Sequence, residues 1–233
     1  MEKVATRTGT EVVVNDFVRS VYNWMGIGLA LTGFIALYVS TNETVSGLIL
    51  GNRIIFFGLI IAELALVFSI SGMVHKMRAS TATGLFVLYA ALNGLTLSFI
   101  FLAYTQASIV RTFFVCSGTF LACSIYGWKT RRDLTSWGGF LTMGLIGIII
   151  ASLVNLFIRS SAMTMIISYI GVLVFVGLTA YDTQKLKQMA VAQPAGLDGS
   201  TIRKGAILGA LSLYLDFINL FLLLLRIFGE GRE

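Results

Sequence analysis

The sequence predicts an all-α, polytopic membrane protein of seven transmembrane helices, and three observations predict it. Apolar residues fill 57% of the 233 positions and charged residues only 12%, about half the charged share that a soluble domain needs to cover its surface. The apolar residues gather into runs of about 20, the length that crosses a hydrocarbon core of ~30 Å. These runs are continuous and lack the ten-residue alternation of membrane strands, which argues against a β-barrel.

The first run, 20–40, follows a polar tail, 1–19, in which Lys3 and Arg7 are mixed with Glu2, Glu11 and Asp16. No apolar core precedes Phe17, so no cleavable signal is expected, and the first helix serves as the insertion signal. It ends at Thr41-Asn42-Glu43. The second run, 53–73, carries Glu63 and stops before His75-Lys76-Met77-Arg78. The third, 81–104, and the fourth, 109–128, are separated near Gln106. Lys129 to Asp133 leads to the fifth, 137–158, and Arg159-Ser160-Ser161 to the sixth, 162–184. A longer polar stretch, Lys185 to Lys204, precedes the seventh, 205–228, so the membrane domain covers 20–229 and a short tail, 230–233, follows.

Lysines and arginines accumulate in cytoplasmic loops. Lys3, Arg7, Arg19, Lys76, Arg78, Lys129, Arg131, Arg132, Lys185, Lys187, Arg203 and Lys204 fall on one side. Arg53, Arg111, Arg159, Arg226 and Arg232 fall on the other. Twelve against five predicts a cytoplasmic amino terminus and, after seven spans, a periplasmic carboxyl terminus. The net charge of +6 therefore points to the lipid bilayer and not to a nucleic acid. Tyr22, Trp24, Tyr126, Trp128 and Trp137 suit an interfacial belt. Pairs such as Gly205 and Gly209, or Gly26 and Gly28, read as close helix packing.

An ionisable group inside a span costs a few kcal/mol and asks for a partner or a purpose. Glu63, Asp182 and Asp216 qualify. None has a cation one turn away inside its own span; Lys185, on the Asp182 side, lies just past the end drawn at 184. Helical spacing sets Ser212 and Asn219 on the Asp216 side and Thr179 on the Asp182 side, so each aspartate continues a polar stripe that lipid cannot solvate. If the two meet, repulsion and desolvation favour one proton shared by the pair, which would sense pH. Two ionised carboxylates would also suit Ca²⁺, a hard cation that takes oxygen ligands. Structural hydrogen bonding between helices is the competing reading.

Absences narrow the class. His75 is the one histidine, so no zinc cluster or histidine-based triad can be assembled within the chain, and no catalytic activity is expected. Cys116 and Cys123, seven residues apart on one helix, are about 10 Å apart along its axis, beyond disulfide reach, and read as packing residues.

The segments Gly177-Leu178-Thr179-Ala180-Tyr181-Asp182-Thr183-Gln184-Lys185 and Leu211-Ser212-Leu213-Tyr214-Leu215-Asp216-Phe217-Ile218-Asn219-Leu220-Phe221, closed by Leu225-Arg226-Ile227-Phe228-Gly229, resemble the signature of the Bax-inhibitor family. These are the transmembrane Bax inhibitor motif proteins. The Arg132-Asp133-Leu134 loop and Glu63 agree with it over essentially the whole chain, which is most similar to the bacterial inner-membrane branch. The resemblance implies six helices around a central seventh and a pH-sensitive calcium leak channel of the inner membrane. In it a proton-sharing aspartate pair, here Asp182 and Asp216, is both sensor and ion pathway. It implies no cofactor beyond Ca²⁺ as the permeant ion. The family's sensor is latched by an arginine near the cytoplasmic end of the second span; this sequence has Val74 there, and Arg78 or Lys76 takes that part only if the helix continues past Gly72.

Two alternatives come from other classes. One is a modulator or substrate of a membrane-anchored protease, a role attributed to some bacterial relatives, acting through the tail 1–19. The other is proton-coupled transport through the same aspartates. Composition and spacing leave the oligomeric state and the ion selectivity open.

Overall fold

A computed structural model describes residues 2–192 and 198–232, with side chains from Val14 onward. Nine α-helices are present among them: α1 Glu2–Thr41, α2 Glu43–Gly51, α3 Arg53–Met73, α4 Ala79–Leu97, α5 Phe99–Ala103, α6 Gln106–Lys129, α7 Thr135–Ile158, α8 Ser161–Val191 and α9 Gly199–Phe228. Among the described residues seven segments are long and apolar enough to cross a membrane, beginning with Val14–Thr41, Arg53–Lys76 and Ala79–Ala103. The other four coincide with α6, α7, α8 and α9.

The structure differs from the sequence reading where polar residues stay helical. The backbone of 2–19 is already helix and runs into the first span without a break. The link between the first two spans contains α2, nine residues long and too short to cross. Its Asn42 cap accepts from Val45 N at 3.1 Å, and Asn52 then caps α3 by accepting from Ile54 N at 2.9 Å. The third span breaks at Ser98, whose hydroxyl donates to Leu95 O and whose backbone turns tightly between α4 and α5. Most of the polar stretch after the sixth span is helical too, since α8 extends to Val191 and α9 starts at Gly199. Lys185 is therefore one turn beyond Asp182 in the same helix, on the side that the spacing gave it, because the helix runs past the span end drawn at 184.

The chain divides into two compact units. The first comprises Met1–Ala103 and Met189–Tyr214. Its core is built from Phe17 and Val21 of α1, Ile70 of α3, Phe86 and Ala90 of α4, and Ile207, Leu211 and Tyr214 of α9. Helices α1 and α4 approach closely because Gly94 lacks a side chain: a Cβ there would lie 2.8 Å from Thr32 O and from Ile35 Cβ.

The second unit comprises Tyr104–Gln188 and Leu215–Glu233. Phe217 of α9 packs edge-on against Phe113 and Phe120 of α6, with ring centroids 5.7 and 5.5 Å apart. The buried Cys116 thiol donates to Phe217 O at 3.7 Å, and both cysteines are free. Gly127 of α6 lies directly against the Ala180 carbonyl of α8, so a larger residue there would push apart the helices that hold the motif. After α9 the chain folds back on the start of α6. Thr105 N donates to Glu230 O, Glu230 N donates to Ser108 Oγ, and Arg111 pairs with the Glu230 carboxylate at 3.3 Å.

Candidate functional site

Asp182 of α8 and Asp216 of α9 both belong to the second unit. Asp216 is only 5% exposed, and its Oδ2 has no hydrogen-bond partner among the described residues. Asp182 is half-buried. The two carboxylates lie close enough to act on each other through space, and Lys185 acts on Asp182. A buried charge without a partner is among the most costly arrangements a protein can hold, so a bare carboxylate oxygen beside a second carboxylate is a strong constraint on how protons are distributed there.

The α8 segment that carries Asp182 is fixed from one side. Gln184 uses both ends of its amide: Nε2 donates to Arg132 O at 2.9 Å and Oε1 accepts from Leu134 N at 2.8 Å. One turn from Gln184, Lys187 donates to Trp128 O at 2.7 Å and lies over the Trp128 ring, 5.3 Å from its centre. Thr183 adds a 3.4 Å contact to Ser124 Oγ. The motif and the Arg132-Asp133-Leu134 loop thus meet through Gln184, which sequence reasoning did not single out. Asp133 itself is fully exposed and accepts from Thr135 N at 2.9 Å; that hydrogen bonding holds its carboxyl below the usual range.

The expected supporting residues are placed differently from one another. Thr179 donates to Phe175 O at 2.8 Å and Asn219 to Leu215 O at 2.8 Å, each within its own helix. Ser212 is half-buried in the first unit. Glu63 also lies in the first unit, where Thr96 donates to Oε1 at 2.8 Å and Asn93 to Oε2 at 3.3 Å. The network continues: Tyr214 OH donates to Asn93 Oδ1 at 3.1 Å and lies 2.7 Å from Thr32 Oγ1, whose hydroxyl is 2.7 Å from Ala90 O. Two hydroxyl protons serve three contacts here. Asn93, Thr96, Thr32 and Tyr214 were not anticipated. A polar pair at i and i+3 in the third span was the available signal for Asn93 and Thr96.

The latch candidates are exposed and lie in the first unit. The α-helix continues only one residue past Gly72; Lys76 closes a 3₁₀ turn, Val74–Lys76, and Arg78 precedes α4. Val74 itself is buried. Among the described residues no three His, Cys, Asp or Glu side chains converge into a metal-binding group.

The family model described as "Inhibitor of apoptosis-promoting Bax1" matches residues 14–233. The chain is 56% identical over 219 residues to "Inner membrane protein YbhL" of Escherichia coli, covering 94% of this chain and 93% of that protein. It is 47% identical over 230 residues to an uncharacterised protein of Borreliella burgdorferi, with 98% of each covered. An uncharacterised membrane protein of Streptococcus pyogenes is 41% identical over 226 residues, with 96% of each covered.

Proposed function

Because this chain belongs to the Bax inhibitor family and is a multi-pass inner-membrane protein, we propose that it is a pH-sensitive calcium leak pathway whose gate is the Asp182–Asp216 pair. The observation that carries this reading is the buried Asp216 with a bare carboxylate oxygen next to a second acid. A pair of this kind holds one proton between its members and titrates as a unit. Losing that proton turns attraction into repulsion and alters the position of α9, whose membrane segment is 72% buried, the most of the seven. The enclosure of α9 supports a central seventh helix, and the distribution of lysines and arginines supports a cytoplasmic amino terminus and a periplasmic carboxyl terminus.

Calcium enters the reading as cargo. A resident Ca²⁺ site takes six to eight oxygens, whereas two carboxylates suit a cation in transit. The chain needs no catalytic group for this task, and none of its spans combines a nucleophile with a histidine base.

The test is Ca²⁺ flux against pH in liposomes that hold only this protein. Asp182→Asn and Asp216→Asn, each checked for folding, should shift the pH midpoint, and the double variant should add little. One midpoint shared by all four folded proteins would reject the gate. Uptake against a calcium gradient, driven by a proton gradient, would replace the leak with coupled transport.

A further inference from the structure

The second unit contains a groove that the aspartate pair does not use. At the turn between α7 and α8 it opens as a cavity of about 580 Å³, lined by Asn155, Arg159, Ser161, Thr164 and Arg226 among others. A second cavity of about 330 Å³ shares Ser152, Leu156, Ile167 and Arg226 with the first. Leu145, Ile149, Leu153, Phe175 and Leu222 form its wall. One end is therefore polar and cationic, and the other is hydrocarbon apart from Asn219, whose amide donates to Leu215 O within its own helix.

The polar end is built. Asn155 Nδ2 donates to Thr164 Oγ1 at 2.7 Å, and Asn155 Oδ1 accepts from Ser160 N at 3.0 Å. Ser160 Oγ accepts from Met163 N at 3.2 Å, so the start of α8 is fixed against the end of α7. Arg159 stands where a helix end usually takes glycine: it is left-handed, with φ 54°, and no other non-glycine residue among those described has positive φ. Arg159 and Arg226 are exposed, and neither is paired with a carboxylate among the described residues. Among the described residues no lining residue of either cavity is acidic. Met163 N and Thr164 N are taken up by Ser160, and the first two backbone N–H groups of α8 add a further preference for negative charge.

We propose that this groove binds an anionic phospholipid, its phosphate held by Arg159, Arg226 and the start of α8 and one acyl chain lying along the apolar wall. Charge complementarity selects the headgroup. The joined hydrocarbon wall selects a lipid over free phosphate, which would leave that wall without a partner. The proposal is independent of the calcium reading.

Purified full-length protein in neutral detergent is titrated with phosphatidylglycerol or with phosphatidylcholine of identical chains, and bound lipids are counted by native mass spectrometry. The wild type should retain phosphatidylglycerol preferentially. Arg226→Gln and Arg159→Gly should each lower that affinity about fivefold, the worth of one basic residue at an anionic lipid surface. Arg159→Gly also relaxes the left-handed residue, so its thermal stability should not fall. Arg53→Gln, an arginine of the first unit, should change nothing. Equal retention of the two lipids by the wild type overturns the proposal without any variant. So does a phosphatidylglycerol preference that survives the double change, or displacement of the lipid by inorganic phosphate alone.

Discussion

Glu63 and Asp216 are acids of the same cost in the same kind of helix, and the structure treats them in opposite ways. Glu63 sits on α3, whose membrane segment is only 6% buried, and both of its oxygens accept hydrogen bonds from α4. Asp216 sits on the most enclosed helix, and one of its oxygens accepts none among the described residues. A helix open to lipid must satisfy its acid from the nearest neighbour, because lipid supplies no donor. An enclosed helix can keep an acid unsatisfied only if a proton or a second charged group completes it. Saturation therefore fits an acid that holds helices together, and incompleteness fits the role proposed for Asp216, an acid that changes state.

Removing the saturated acid should have the largest effect on stability. Glu63→Ala leaves the Asn93 amide without an acceptor and returns the Thr96 hydroxyl to the carbonyls of Leu92 and Asn93 in its own helix, at a cost of roughly 2 kcal/mol. The unfolding temperature in detergent should fall by several degrees, while the pH midpoint of calcium flux in the folded fraction stays put. A shifted midpoint would break the contrast between the two acids. Next in size is Gln184→Ala, which removes both bonds between the motif and the α6–α7 connection and should cost about 1–2 kcal/mol. Because that contact positions the backbone next to Asp182, this variant should also broaden the pH profile, which a purely structural role would not do. Tyr214→Phe follows: it removes one hydroxyl from the Thr32–Asn93 chain and should cost about 1 kcal/mol. A calorimetric loss as large as that of Glu63→Ala would mean that the network acts as one cooperative unit rather than as separate bonds.

The seven spans were legible because a run of about 20 apolar residues has few other uses. Their ends were less so. Helices α8 and α9 run on into the polar stretch between them, since a helix satisfies its own backbone in water as well as in lipid, and only the side-chain pattern changes at the boundary. Segment α2 escaped because nine apolar-rich residues between two asparagine caps resemble a loop when spans are sought. Asp182, Asp216 and Glu63 were visible as costly charges. Which of them is saturated was not, because their donors are distant in the chain: Asn93 and Thr96 are 30 and 33 residues from Glu63. Gln184 and Tyr214 lay inside quoted motifs with no evident task, their partners being 50 and 121 residues away. Thr179 and Asn219 show the converse limit. Spacing set them on the aspartate faces, and their donors nevertheless close onto carbonyls of their own helices.

The smallest expected effect comes from an acid outside the membrane, which serves as the control for both others. Asp133 is fully exposed and accepts from Thr135 N just before α7, and its carboxyl titrates below the ordinary aspartate value of 3.8. A carboxyl depressed in the folded state contributes stability above its unfolded pKa and loses it as pH falls through the folded value. Asp133→Asn keeps an acceptor for Thr135 N but removes the negative charge from the helix start. The variant should therefore be slightly less stable than wild type at pH 7, and the gap should close at an acid pH well below 3.8, once the wild-type carboxyl is protonated too. Thermal unfolding of both proteins in detergent at the two pH values measures it. A gap that persists at acid pH would show that geometry, not charge, is what Asp133 contributes. It would also require the Asp182→Asn and Asp216→Asn data to be reread with the same distinction, since an amide replaces both the charge and the hydrogen-bonding pattern of a carboxylate.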